Sequence, residues 1–441
     1  METSFKRIVE KYRASFPAIF ETCLIIAGLL AMLELLPRRV FSDGDVRFFA
    51  IIDLLHGKMS HMSYSLVGPV FSIPLFIIDK LSPVLWWWPS KYNIFLLGSS
   101  FLVAYIVFRN SIDRGLLRKF FLILLVASMF GSHVTFFGGE TFTTLFVGFG
   151  TLAIALGPTL IGWVAIVLGV VNTPATLVGL GLLTLKHMFD NRRLRYALAV
   201  VAAGLLIITE SWLRRGSPFN NGYGDQAFST PFFIGLLSIL FSFGKGLIFF
   251  MPGLLLPVKQ SIFSLEQTTK ARLYTAYILW LCFLLGMILV YSPWWVWSGG
   301  WFWGPRFFLF GCIPASFALA LRLRKPSSSL FANLCTLLVL GLSLWVGING
   351  AIYDLGDLAA TCVVNKFARS YLCDYHPRYS VLWHPFFEQT QLSRSDKLFI
   401  IYSLCVFIYL ATPLVLLMLR QTIAAAKVLS HNELNFRVWR F

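Results

Sequence analysis

The chain has 441 residues, of which 57% are hydrophobic and 13% charged, and its mean hydropathy is +0.74. Soluble domains run at roughly 45–50% apolar and about 25% charged, so the composition excludes a soluble enzyme, a disordered chain and a disulfide scaffold. The net charge of +17 comes from basic residues scattered between long apolar runs rather than clustered. That pattern argues against a nucleic-acid surface and for the positive-inside asymmetry of a polytopic membrane protein.

A bilayer core needs about 20 apolar helical residues. Segments 17–36, 93–108, 117–137, 196–211, 236–257, 272–291, 306–322, 330–349 and 398–419 meet or approach that length. None alternates polar and apolar residues as a barrel strand would, so the expected fold class is all-α. The first span carries Glu21 and Glu34 and no small-residue cleavage site, unlike a cleaved signal peptide. Within the first loop, 63–80 is apolar but holds Pro69, Pro74 and Asp79, which predicts an interfacial helix. Residues 144–186 must cross an odd number of times, and three short helices broken near Gly157-Pro158 and Asn172-Thr173-Pro174 satisfy that parity. The expected total is about twelve spans.

Charge sets the expected orientation. Six basic clusters, at 6–13, 109–119, 186–195, 259–272, 322–325 and 420–440, hold 22 of the 37 Lys and Arg residues. Placed in the cytoplasm, they put both termini there and put loops 37–92, 212–235, 292–305 and 351–396 outside; 12 of the 20 acids, Glu140 and Glu210 among them, fall outside or at the outer surface. Cys362 and Cys373 share the last of these loops and can pair in an oxidising compartment. Cys23, Cys282, Cys312, Cys335 and Cys405 fall in apolar spans and are expected only to pack.

Three external segments could carry chemistry. The first opens Ser42-Asp43-Gly44-Asp45. Two carboxylates around a glycine read as a solvated turn, as a pair of ligands for a divalent cation, or as a general base whose pKa is raised by its neighbour. The second runs from Glu210 through Arg214, Arg215, Tyr223 and Asp225 to Ser242-Phe-Gly-Lys245-Gly-Leu. Lys245 falls inside an apolar span, where a charge is costly and marks function unless its stem reaches the surface. The third, 291–308, packs five tryptophans (294, 295, 297, 301, 303) around Gly299-Gly300 and Gly304-Pro305-Arg306. Interfacial belts account for some of these rings. An arginine at the mouth of a span can also hold a lipid phosphate bidentately, and the aromatic faces suit sugar rings or prenyl chains. The seven histidines show no metal-ligand spacing, and there is no H-E-x-x-H, nucleophile elbow, Walker or dinucleotide motif.

The order of these features resembles the GT-C membrane glycosyltransferases that use polyprenyl-phosphate sugars, of the mannosyltransferase and aminoarabinose transferase type. The likeness rests on the acidic first loop, Arg-Gly-Ser-Pro…Gly-Tyr at 215–223, Ser-Phe-Gly-Lys-Gly-Leu at 242–247 with Met-Pro after it, and Trp-x-Gly-Gly-x-x-x-Gly-Pro-Arg at 297–306. It implies a catalytic module over 1–325 and C-terminal helices with an external loop over 326–441. It further implies inverting sugar transfer from a polyprenyl-phosphate donor to a lipid or glycan acceptor on the extracytoplasmic face, with no nucleic acid involved. A first-loop Asp would be the base, Asp45 favoured over Asp43 because Phe48 and Phe49 follow it, and Glu140 would be a second catalytic acid. Donor phosphate would meet Arg306, Lys245, His56, Lys58, His61 and Arg215. Substrate would meet Glu210, Tyr223, Asp225, Trp297, Trp301 and Trp303. No cofactor is required on this reading, and a divalent cation at Asp43 and Asp45 stays open. The competing class is a flippase of lipid-linked saccharides. It calls for charges spread along several spans and an inverted repeat, and the chain shows neither.

Overall fold

The computed structural model describes residues 2–37, 42–220, 222, 227–266, 268–353, 356–363, 369–388 and 391–438. Tyr223, Asp225, Arg38 and Arg39 lie outside them. The described residues form α-helices and short 3-10 turns, with no β-strand among them. Six helices are long and apolar enough to cross a membrane: Phe16–Leu35, Leu194–Arg215, Lys270–Tyr291, Arg306–Arg324, Leu330–Ile352 and Arg394–Ala426. Four shorter apolar helices accompany them, at Tyr92–Phe108, Glu140–Leu156, Thr159–Asn172 and Phe232–Phe241. The protein is therefore an integral membrane protein in which several expected crossings are short or broken.

The breaks have local causes. Residues 140–191 form three helices, Glu140–Leu156, Thr159–Asn172 and Leu177–Asn191, interrupted where Pro158 and Pro174 cannot continue an i to i−4 ladder. The expected span 117–137 stops at Val126, because the Ser128 hydroxyl donates to Leu124 O and accepts from Phe130 N in place of the ladder. The expected interfacial helix is two pieces, Val67–Val70 and Ile73–Asp79, with Phe71, Ile77 and Ile78 exposed. The expected span 236–257 is not one helix. It ends at Phe241, makes a turn over 243–245 closed by Gly246 N donating to Ser242 O at 2.7 Å, and resumes as Leu247–Phe250 and Pro252–Leu255. Lys245 thus lies in a break rather than within a helix.

Helix Cys312–Arg324 is the axis of the packing and is buried along nearly its whole length. Trp280, Phe120 and Phe317 meet edge-to-face around it, the arrangement that aromatic quadrupoles favour. Of the five remaining cysteines only Cys312 is buried, while Cys23 and Cys405 are exposed. Some charges inside this apolar frame are paired. Glu21 in the first span accepts from Arg118 at 2.7 Å, Lys119 at 3.1 Å and the Tyr409 hydroxyl at 3.0 Å. Asp113 holds Arg324 at 2.9 Å. That pair marks one end of the axial helix, and Arg306 marks the other. At 1.5 Å per residue the 19-residue run Arg306–Arg324 separates them by roughly 27 Å.

Candidate functional site

At the Arg306 end, three segments far apart in sequence meet. Ser42 adopts φ +54°, an unusual conformation for a residue with a side chain. It turns the chain so that Asp43 is the first residue of helix Asp43–Leu55, where the positive end of the helix favours a carboxylate. Gly138-Gly139 leads into helix Glu140–Leu156, which starts with Glu140. Gly299, Gly300 and Gly304 all have positive φ, between +65° and +85°, and wind the tryptophan-rich loop back toward Arg306. A β-carbon at Gly299 would stand 2.7 Å from Arg306 Cγ, so the glycine also makes room for that side chain.

Arg306 Nη1 donates to Asp43 Oδ2 at 2.6 Å and lies 3.6 Å from Glu140 Oε1. Its guanidinium stacks 3.7 Å over the Phe302 ring, and its Nε is buried without a hydrogen-bond partner. Burial alone would raise the Asp43 pKa. The Arg306 charge, hydrogen bonds from Tyr64 and Arg306, and the charge of Arg47 outweigh it and hold the carboxyl below its usual value. Asp43 is therefore an anion at neutral pH, braced by cations on two sides.

Arg47 and Tyr64 belong to this cluster although their sequence context carries no motif. Arg47 is one helical turn beyond Asp43, on the same face. It is buried, stacks 4.8 Å over the Tyr64 ring and donates to Ser65 O at 3.3 Å. A β-carbon at Gly139 would lie 2.6 Å from Arg47 Nη1. Gly138-Gly139 before an acid was the available sequence signal. Asp45 is half-buried, and its position two residues from Asp43 puts it about 200° around the helix. The structure brings Asp43, and not the favoured Asp45, to Arg306.

Lys245 does a different job from the one expected. Its Nζ donates to the carbonyls of Gly300 (3.3 Å), Phe302 (2.5 Å) and Gly304 (2.9 Å). An ammonium has three N–H donors, so none is left for a phosphate. Beside it, Gly244 N donates to Asp374 O at 3.0 Å, and a β-carbon on Gly244 would collide with Cys373 O. The Ser-Phe-Gly-Lys-Gly motif thus ties the tryptophan-rich loop to the last large loop. That loop is closed by a Cys362–Cys373 disulfide with Cα atoms 6.1 Å apart. Between the two loops lies a cavity of about 340 Å³ that Trp297 and Trp301 line. Trp303 points away from it: the ring is buried, edge-on to Phe250, with Nε1–H donated to Asn349 Oδ1 at 2.8 Å. Burial lifts the Asp374 carboxyl to about 6, and the Lys245 charge opposes the rise.

The remaining expected residues are placed as follows. Glu210 accepts from Ser65 Oγ (2.7 Å), Leu66 N (2.8 Å) and Arg214 (2.8 Å), so both its oxygens fasten the first loop. Arg214 completes that clamp on the carbonyls of Ser60, Met62 and Tyr64. Arg215 bonds Asn220 O and Met62 O. His61 Nδ1 meets Arg214 O, and His56 Nδ1 meets Ile52 O. Lys58 is exposed. Glu210, Arg214, Arg215 and His61 hold the first loop. Among the described residues no three His, Cys, Asp or Glu side chains converge as metal ligands.

No protein-family model and no curated protein matches the chain. Two solved structures are similar in course, both of ArnT from Cupriavidus metallidurans. The apo form aligns with TM-score 0.49 and 13% identity over 90% of this chain and 76% of that one. The form bound to undecaprenyl phosphate aligns with TM-score 0.47 and 13% identity over 93% and 78%. Likeness at that level decides nothing about the chemistry of this chain.

Proposed function

We propose that the protein is a membrane glycosyltransferase that moves a sugar from a polyprenyl-phosphate donor to a lipid or glycan hydroxyl, with inversion. The observation that carries this reading is the partly buried Arg306–Asp43 pair with Glu140 beside it. The motif resemblance at 215–223, 242–247 and 297–306 supports it. Inverting transfer needs a base on one face of the anomeric carbon and positive charge for the departing phosphate on the other. Donor phosphate engages the Arg306 guanidinium. That weakens the hold on Asp43, which takes the proton of the acceptor hydroxyl. The acceptor oxygen bonds to the anomeric carbon as the bond to the phosphate oxygen breaks, and polyprenyl phosphate leaves as an anion. Glu140 keeps Arg306 oriented while Asp43 is engaged elsewhere. Arg306 supplies the charge that a metal would otherwise supply, so no cation is required.

The site is assigned to the extracytoplasmic face, with both termini cytoplasmic. Basic-residue asymmetry supports this, as does the disulfide in the loop nearest the site, since such bonds persist in oxidising compartments. The test is to incubate purified protein with a panel of labelled polyprenyl-phosphate sugars and a membrane glycolipid extract. Label moving into an acceptor supports the reading. Intact donor throughout, with folded protein, removes it.

A further inference from the structure

The cavity beside Lys245 has a chemistry of its own. Its walls include Trp295, Trp297, Trp301 and Phe302, and its polar lining includes Asp374 and Lys245. At about 340 Å³ it falls at the small end of ligand pockets, which run to roughly 300–1,000 Å³. The two charged groups are not equivalent. All three Lys245 donors are occupied by carbonyls of 300–304. The Asp374 carboxylate, by contrast, receives no hydrogen bond from any described residue, although its backbone is fixed by Gly244 N and by the neighbouring disulfide. The pocket thus offers aromatic faces and a pair of acceptor oxygens that no described residue engages. A phosphate entering it would find a carboxylate and no free ammonium hydrogen. A polyhydroxylated ring would find complements for both its aliphatic face and its O–H groups.

Phe302 connects this pocket to the reacting cluster. It lines the cavity and also carries the Arg306 guanidinium on its ring at 3.7 Å. A ring in the cavity and a phosphate at Arg306 would be separated by one aromatic side chain. The division of labour follows: charge at Arg306, ring recognition across Phe302.

We infer that the cavity between the tryptophan-rich loop and the disulfide-closed loop is a saccharide-ring site, with Asp374 accepting ring hydroxyls and Trp295, Trp297 and Trp301 forming its aromatic walls. This rests on the transferase reading and adds to it where the sugar ring is read and by which residue. The ring belongs to either the donor or the acceptor, which share this chemistry.

Saturation-transfer NMR on the full-length protein in detergent, with a panel of methyl glycosides as probes, tests the site without requiring turnover. At least one glycoside is expected to receive saturation, and its affinity is expected to fall at least tenfold in Asp374→Asn. Trp295→Ala alters a half-exposed ring and gives a second variant that should fold and also weaken binding. Displacement by the sugar-bearing donor but not by sugar-free polyprenyl phosphate identifies the donor ring. Failure of either lipid to compete identifies the acceptor ring. Glycoside binding unchanged in both variants, absence of any binding, or displacement by inorganic phosphate overturns the assignment. Transfer activity that persists without glycoside binding removes the cavity site alone. Binding that persists without transfer removes only the reaction.

Discussion

Arg306→Ala removes the cation that both Asp43 and Glu140 approach. The 2.6 Å bond to Asp43 is charge-assisted and such bonds contribute about 1.5–3 kcal/mol. The guanidinium–Phe302 stack adds roughly 0.5–2 kcal/mol. Breaking a fully buried pair costs about 3–5 kcal/mol, but Asp43 keeps 18% of its side chain exposed, so the cost falls below that range. The expected loss at pH 7 is about 2–3 kcal/mol. Its pH dependence is the sharper signature. The folded Asp43 pKa is held below 3.8, so its ionic contribution is present above that value and is lost as pH falls through the folded pKa. In Arg306→Ala the main lowering influence is gone and burial raises the carboxyl instead. The stability gap between wild type and variant should therefore be full at pH 7, begin to shrink as pH falls through the variant's raised carboxyl, above 3.8, and close as pH falls through the lowered wild-type value. Chemical unfolding in detergent at several pH values measures it. A gap of the same size at pH 7 and at the lowest pH the fold tolerates would refute the ionic account of the pair.

Other outcomes follow from the same geometry. Asp43→Asn should reduce transfer by roughly 10²–10⁴, the usual contribution of a general base, while Asp45→Asn stays within a few fold; comparable activity in both variants reverses the assignment. Gly139→Ala pushes a methyl against the Arg47 guanidinium and should destabilise by about 1–3 kcal/mol, read by thermal unfolding; an unchanged midpoint would mean that Arg47 is free to move. Lys245→Met leaves three carbonyls without their donor and should cost about 3 kcal/mol or more. Donor-lipid affinity measured on the surviving folded fraction should hardly change, and a large loss would restore a phosphate role for Lys245. Activity should survive EDTA, and its disappearance, with recovery on adding Mg²⁺ or Mn²⁺, would place a cation at Asp43.

Much of the architecture was legible in sequence because its causes are local. Pro158 and Pro174 break helices wherever they stand in a helical run, and the breaks near them were foreseeable. Arg306 stood out because Gly299-Gly300, Gly304-Pro305 and an arginine at the mouth of a span announce a shaped polar loop. The choice between Asp43 and Asp45 was less legible, since it depends on which face of helix Asp43–Leu55 meets Arg306, a tertiary fact. Lys245 misled for the same reason. A lysine in an apolar run marks an unusual environment but does not say whether its partner is a ligand or three carbonyls of a neighbouring loop. Arg47 stands i, i+4 from Asp43, a spacing too common on helices to mark a site, and Tyr64 was hidden because its contacts to Asp43 and Arg47 cross from a loop to a helix without periodic pattern. Asp374 lay in a loop with no recognisable motif, and only the fold joins it to the tryptophans.

The most direct measurement is single-turnover release of polyprenyl phosphate from a labelled polyprenyl-phosphate sugar, comparing wild type with Asp43→Asn and Arg306→Ala. The account expects stoichiometric release with sugar appearing on an acceptor in the wild type, at most a hundredth of that rate in Asp43→Asn, and weakened donor binding in Arg306→Ala. Wild-type rates in both folded variants, or a wild-type protein that binds every donor and transfers none, would contradict it.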